Sequence, residues 1–179
     1  IGDWSSDVCS SDLCGVSESF FTPSTGYGSG DRGRDALDKL AAEIFRAESG
    51  FIRPSLLSGT HTLAVALYGI LRPGDIMLSV TGRPYDTLTK VLGLDQTGDE
   101  KPQISSEGSL RDLGVDYRQL ELLPDPFTAE EPIDIPAMVE FIRRHGEKVK
   151  MVYVQRSRGY AFRPALTVSQ IRRAAYEVE

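Results

Sequence analysis

Three short stretches of this chain carry side chains whose types and spacing could do chemistry. The first is LLSGTHTLAVALYGILRPGDIMLSV, residues 56–80, where Ser58, Gly59 and Thr60 open a long apolar run. The start of a helix offers unpaired backbone N–H groups and the positive end of the helix dipole. A glycine there lets an anion approach the backbone, and hydroxyls add donors. That is the make-up of a phosphate cradle. The same residues are also ordinary helix N-caps. The stretch is neither a Walker loop, since the lysine is missing, nor a G-x-G-x-x-G turn.

The second stretch is TGRPYDT, residues 81–87, directly after the apolar run DIMLSV. In parallel α/β sheets, ligands bind beyond the carboxyl ends of strands. Tyr85 is therefore placed either to stack on a planar ligand or to pack against the next helix. The third is VQRSRGYAFRP, residues 154–164, which crowds Arg156, Arg158 and Arg163 into one loop. Arginine forks suit carboxylates; surface arginines also pair with acidic neighbours. His61 and His145 show no metal-ligand spacing, and no Ser-His-Asp or Cys-His nucleophile signature is present. No metal site is expected. His61 reads as partly buried, His145 as a helix C-terminal residue, and Met77, Met138 and Met151 as core.

The elements that must position these loops alternate between helices and short strands. ALDKLAAEIFRAES spaces Leu37, Leu40, Ala41 and Ile44 on one helical face, with Asp35 in the first turn and Gly50 as the stop. Thr60 to Leu71 reads as a buried helix closed by Pro73-Gly74. DIMLSV has the composition of a buried parallel strand. PYDTLTKVLGL is a helix with Pro84 in its first turn. SLRDLG is a helical turn, VDYRQLELL and VKMVYVQ are strands, and PIDIPAMVEFIRRHG is a helix stopped by Gly146. TVSQIRRAAYEVE starts a last helix near Thr167 or Ser169. The alternation predicts an α/β fold with a mostly parallel sheet and flanking helices.

The 179 residues suffice for one domain with a real core, and 40% hydrophobic with 26% charged residues is an ordinary globular composition. A net charge of -6 argues against nucleic acid or anionic membranes as partners. No run is long enough to span a bilayer. With no secretory signal in view and only Cys9 and Cys14, a reducing cytoplasm is expected. GDWSSDVCSSDL, residues 2–13, has no helical or strand period and reads as the in-frame translation of a sequencing adapter; a natural tail is the alternative. Residues 1–14 are thus expected to be an artefactual leader, and residues 15–179 the N-terminal part of a larger domain cut at its C-terminal side.

Taken together, STGYG, DRGRDALDKLAAEIF, RPSLLSGTHTLAVALYGILRPGD, TGRPYDTL, LGVDYRQ and VYVQRSRGYAFRPALTV, in this order, closely resemble one family. It is the methionine gamma-lyase-like or cystathionine beta-lyase-like family known as aluminium resistance proteins. The resemblance runs over residues 15–179, with residues 98–108 as an extra loop. It implies an aspartate-aminotransferase-like large domain (fold type I) that uses pyridoxal 5'-phosphate to eliminate a sulfur substituent from a small amino-acid substrate. It also implies roles. Ser58, Gly59 and Thr60 would hold the cofactor phosphate, and Tyr85 would stack on its ring. Tyr27, with Arg34, would reach the phosphate of a neighbouring subunit in a homodimer or homotetramer. Arg156 and Arg158 would lie near the cofactor or the substrate carboxylate. In the family, the lysine that carries the cofactor and the carboxylate on its ring nitrogen lie in later segments. Lys39, Lys90, Lys101, Lys148 and Lys150 do not match that place. The expectation is a lyase fragment inactive alone. A nucleotide-binding α/β domain and a non-catalytic interaction module are the competing readings.

Overall fold

The computed structural model describes residues 15–25, 31–94, 107–124 and 130–178. The expected leader, Tyr27 and most of the expected loop at 98–108 lie outside the described residues. The chain divides into two compact units, Ile1–Gly59 and Thr60–Glu179.

The first unit holds a 3-10 turn, Glu18–Phe21, and helix α1, Arg32–Phe45. Asp31 caps α1 by accepting from the Arg34 amide at 3.2 Å, and its side chain also pairs with the Arg34 guanidinium at 3.0 Å. Hydrogen bonds from Ser24 and from the Arg34 amide hold the Asp31 carboxyl below its usual range. Gly50 does not stop the helix as expected. α1 ends at Phe45, and Arg46 takes the left-handed conformation, φ 52°. Gly50 lies against α1 instead. A β-carbon there would stand 2.5 Å from the Asp38 carbonyl oxygen, so the chain needs a bare backbone at that approach. Asp38 receives the Ile52 amide at 2.8 Å and the Arg53 guanidinium at 2.7 Å.

The second unit begins one residue into α2, Gly59–Ile70. It continues through β1 (Ile76–Ser79), α3 (Asp86–Leu92), β2 (Asp116–Gln119), α4 (Ile135–His145), β3 (Val149–Tyr153) and α5 (Val168–Tyr176). The strands form one parallel sheet in the order β2-β1-β3. Every residue of the central strand is buried, because both of its faces are covered. Side chains alternate across it. Met77 packs with Leu67, Leu71, Leu88, Leu92, Leu110 and Val115 on one face. Leu78 and Val80 pack with Ile133, Met138, Leu166 and Ala174 on the other. Full burial stabilises by about 1.5–3 kcal/mol for each such side chain, so this strand anchors the unit.

The caps of the later helices follow from sequence. Asp134 accepts from the Ala137 amide at 3.0 Å. Thr167 and Gln170 form a reciprocal capping box, which settles Thr167 over Ser169 as the cap. Three expectations are corrected. α2 is not a buried helix: Leu67 is its buried residue, while Leu63, Val65 and Ile70 are exposed at 41%, 47% and 53%. Only one stripe of a helix faces a single sheet, and α2 is apolar on its other sides as well. Pro84 lies before the helix it was expected to start, since Tyr85 is the N-cap of α3. His61 is exposed.

Candidate functional site

The loops leaving the carboxyl ends of β1 and β3 meet each other, as a parallel sheet requires of neighbouring strands. The β1 loop turns sharply. Ser79 Oγ donates to the Gly82 carbonyl at 2.6 Å, and the Gly82 amide donates to the Leu120 carbonyl at 2.8 Å. Gly82 holds φ 73°, and a β-carbon on it would lie 2.5 Å from Glu121 Oε2. The turn carries Thr81 inward and delivers Tyr85 to the head of α3.

From β3 comes Gln155, buried at 8% exposure. Its amide donates to Thr81 Oγ1 at 3.0 Å, and its Oε1 accepts from the Tyr85 amide at 2.9 Å. Its Nε2 donates to the Ser157 carbonyl at 3.1 Å. Arg163, 7% exposed, reaches back under the same loop. Its guanidinium donates to the carbonyls of Gln155 at 2.9 Å, Ser157 at 2.7 Å and Pro164 at 3.0 Å. Burial lowers the Arg163 pKa, but with main-chain oxygens around it the group stays charged. Of the three loop arginines, this one is structural, held by main-chain carbonyls. Arg156 and Arg158 are exposed on the same loop.

Tyr85 stands between these loops, 37% exposed. Its hydroxyl shares a hydrogen bond with Ser157 Oγ at 3.1 Å. Gly159, at φ 57°, lies against its ring, where a β-carbon would come within 3.0 Å of Cε1. One side of the ring is thus fixed, and the residue keeps an exposed surface. The first turn of α2 joins this group through Thr60, whose Oγ1 donates to Thr87 Oγ1 at 3.0 Å. The proton of the Thr87 hydroxyl is then the one left to donate onward. Ser58 and Gly59 are exposed, and space around the α-carbon of Gly59 is open.

The structure therefore brings Thr60, Tyr85 and the Arg156–Arg158 loop into one unit, together with Thr87, Gln155 and Ser157, which the sequence reading missed. A glutamine ending an apolar strand, followed at once by charged and polar residues, was the signal that could have found Gln155. Arg34 belongs to the first unit, paired with Asp31. Among the described residues no group of His, Cys, Asp and Glu could hold a metal ion. No helix among them is long and apolar enough to cross a membrane.

Comparison with known proteins yields a consistent group. The family model described as methionine gamma-lyase matches residues 13–179. The chain is 43% identical over 157 residues to YnbB, an uncharacterized protein of Bacillus subtilis, covering 88% of this chain and 34% of that one. It superposes with TM-score 0.81 on a carbon-sulfur lyase involved in aluminum resistance from Clostridium novyi, at 36% identity, covering 96% of this chain and 37% of that one. The TM-score is 0.82 against a candidate cystathionine beta-lyase involved in aluminum resistance from Listeria innocua, at 38% identity, covering 97% of this chain and 39% of that one. The chain spans little more than a third of the length of these relatives.

Proposed function

Since the chain belongs to the methionine gamma-lyase family, we propose that it is the cofactor-holding part of a pyridoxal 5'-phosphate-dependent carbon–sulfur lyase that acts on a sulfur-containing amino acid in the cytoplasm. The observation that carries this reading is the joining of Thr60, at the start of α2, to the helix that Tyr85 caps, through the Thr60–Thr87 hydrogen bond. It links a helix start able to bind phosphate to an aromatic ring with one side still exposed.

The residues fit the cofactor. The open space at Gly59 lets a phosphate oxygen approach the first amides of α2. Ser58 and the Thr60–Thr87 pair add hydroxyls, and Tyr85 offers its ring for stacking. Arg156 and Arg158 supply positive charge for the carboxylate of the amino acid. Tyr27 and Arg34 serve the phosphate of a neighbouring subunit in a homodimer or homotetramer. When bound, pyridoxal 5'-phosphate supplies the electron sink for reactions at the substrate α-carbon. This chain's residues hold and orient it. The lysine that carries the cofactor and the carboxylate on its ring nitrogen belong to later segments of the family's chain, so these residues alone do not turn over substrate.

Pyridoxine 5'-phosphate is the suitable probe, because without an aldehyde it cannot react with surface lysines. The chain is expected to quench its fluorescence saturably, whereas pyridoxine lacking the phosphate binds at least about tenfold more weakly, a difference of about 1.4 kcal/mol. Equal binding of the two compounds would overturn the reading.

A further inference from the structure

We propose that Gln155 is the positioning residue that sets the Tyr85 ring for its planar ligand, with Arg163 clamping Gln155 from beneath; the ligand part of this rests on the function proposed above. The Gln155 side chain is bonded to both Tyr85 and Ser157. Its Oε1 accepts from the Tyr85 amide, and its Nε2 donates to the carbonyl of Ser157, whose hydroxyl shares a hydrogen bond with the Tyr85 hydroxyl. The glutamine thus fixes Tyr85 at its backbone directly and at its ring tip through Ser157. A side chain with only an acceptor or only a donor could not do both.

Its own position is also determined. The Gln155 amide is tied to Thr81 Oγ1, and its carbonyl accepts from Arg163. Both tying groups are buried, at 5% and 7% exposure. The loop is therefore anchored from inside the unit while the ring it orients keeps its exposed surface. Gly159 completes the seat, since any β-carbon there would press on the ring. This also accounts for a buried glutamine and a buried arginine at the end of an apolar strand. Neither belongs to the hydrophobic clusters, and both are spent on holding one loop.

Two readouts on the full 179-residue chain test the proposal. The first is amide hydrogen exchange without ligand. In Gln155→Ala the Tyr85 amide should exchange about fivefold faster, the loss of one hydrogen bond of about 1 kcal/mol, with Met77 and Leu78 unchanged. The second is the saturating quench of pyridoxine 5'-phosphate fluorescence, which reports stacking geometry independently of affinity. It should fall in Gln155→Ala and, by less, in Ser157→Ala. Gln155→Glu keeps the acceptor but loses the donor, so it should leave the Tyr85 amide protected and still lower the quench. Ser157 is exposed, so its variant reports even if Gln155→Ala misfolds. Unchanged Tyr85 exchange in Gln155→Ala, or an unchanged quench in both Gln155→Ala and Ser157→Ala, would overturn the positioning role and leave the functional reading intact. A wild-type chain that does not bind the probe would overturn both.

Discussion

Different forces shape each of the two units from within. In the first, Ala41 is the buried residue of α1, and Phe45 and Phe51 stand exposed. Its shape is fixed by the Asp31 cap, the Asp38–Arg53 pair and the close approach of Gly50. In the second, β1 is buried on both faces, and the polar groups at its tip are satisfied by one another. Ion pairs that still touch water, as the half-buried Asp38–Arg53 pair does, contribute little and are screened by salt. A two-sided apolar core contributes much more and holds no charge for salt to screen. The first unit should therefore respond to solution conditions, and the second to changes in side-chain volume.

The largest expected effect breaks the second unit. Leu78→Ala removes a side chain with no solvent exposure, and such a deletion costs about 2–5 kcal/mol. Chemical denaturation followed by exchange at β1 amides would show it. A cost below 1 kcal/mol would mean that the two-sided core does not dominate. A smaller loss sharpens the comparison at the sheet's tip. Arg163→Met keeps bulk but leaves the carbonyls of Gln155 and Ser157 without this donor, at about 1–3 kcal/mol for a buried group left unpaired. Protection at Gln155 should fall while that at Leu88 and Leu92 holds.

The smallest effect belongs to the first unit and depends on pH. Hydrogen bonds from Arg53 and from the Ile52 amide lower the Asp38 carboxyl from its ordinary 3.8. Its contribution is therefore complete above the ordinary carboxylate range and is lost as pH falls through the lowered value. Measured against its intrinsic rate, which itself falls with pH, protection of the Ile52 amide should drop on acidification in the wild type. In Asp38→Ala, which removes the acceptor, that protection should already be low at neutral pH and change little on acidification. Added salt should reproduce part of the acid effect. If acid opened β1 amides first, the contrast between the units would fail.

Much of this was legible in the residues. The order of helices and strands, the parallel sheet, a cap at Thr167 or Ser169 and the Gly146 stop follow from local pattern, because capping and side-chain periodicity act over a few neighbours. Tyr85 and Thr60 stood out by type and place. Gln155 did not, because a glutamine at a strand end acquires meaning only when the turn after β1 brings Tyr85 to its side chain, 70 residues away in sequence. The arginines of the β3 loop were indistinguishable for the same reason. Arg163 differs from Arg156 and Arg158 only in being folded under carbonyls. The exposure of α2 was also hidden, since an apolar sequence specifies how much surface can be buried and not which neighbour covers it.

By itself, then, the sequence determined the elements, their alternation and the family, all of which rest on local propensity and on motifs in order. Tertiary structure alone decided which polar side chains share a site. Hydrogen bonds are short and directional, and only the packed sheet places Thr81, Tyr85, Gln155, Ser157 and Arg163 within their reach.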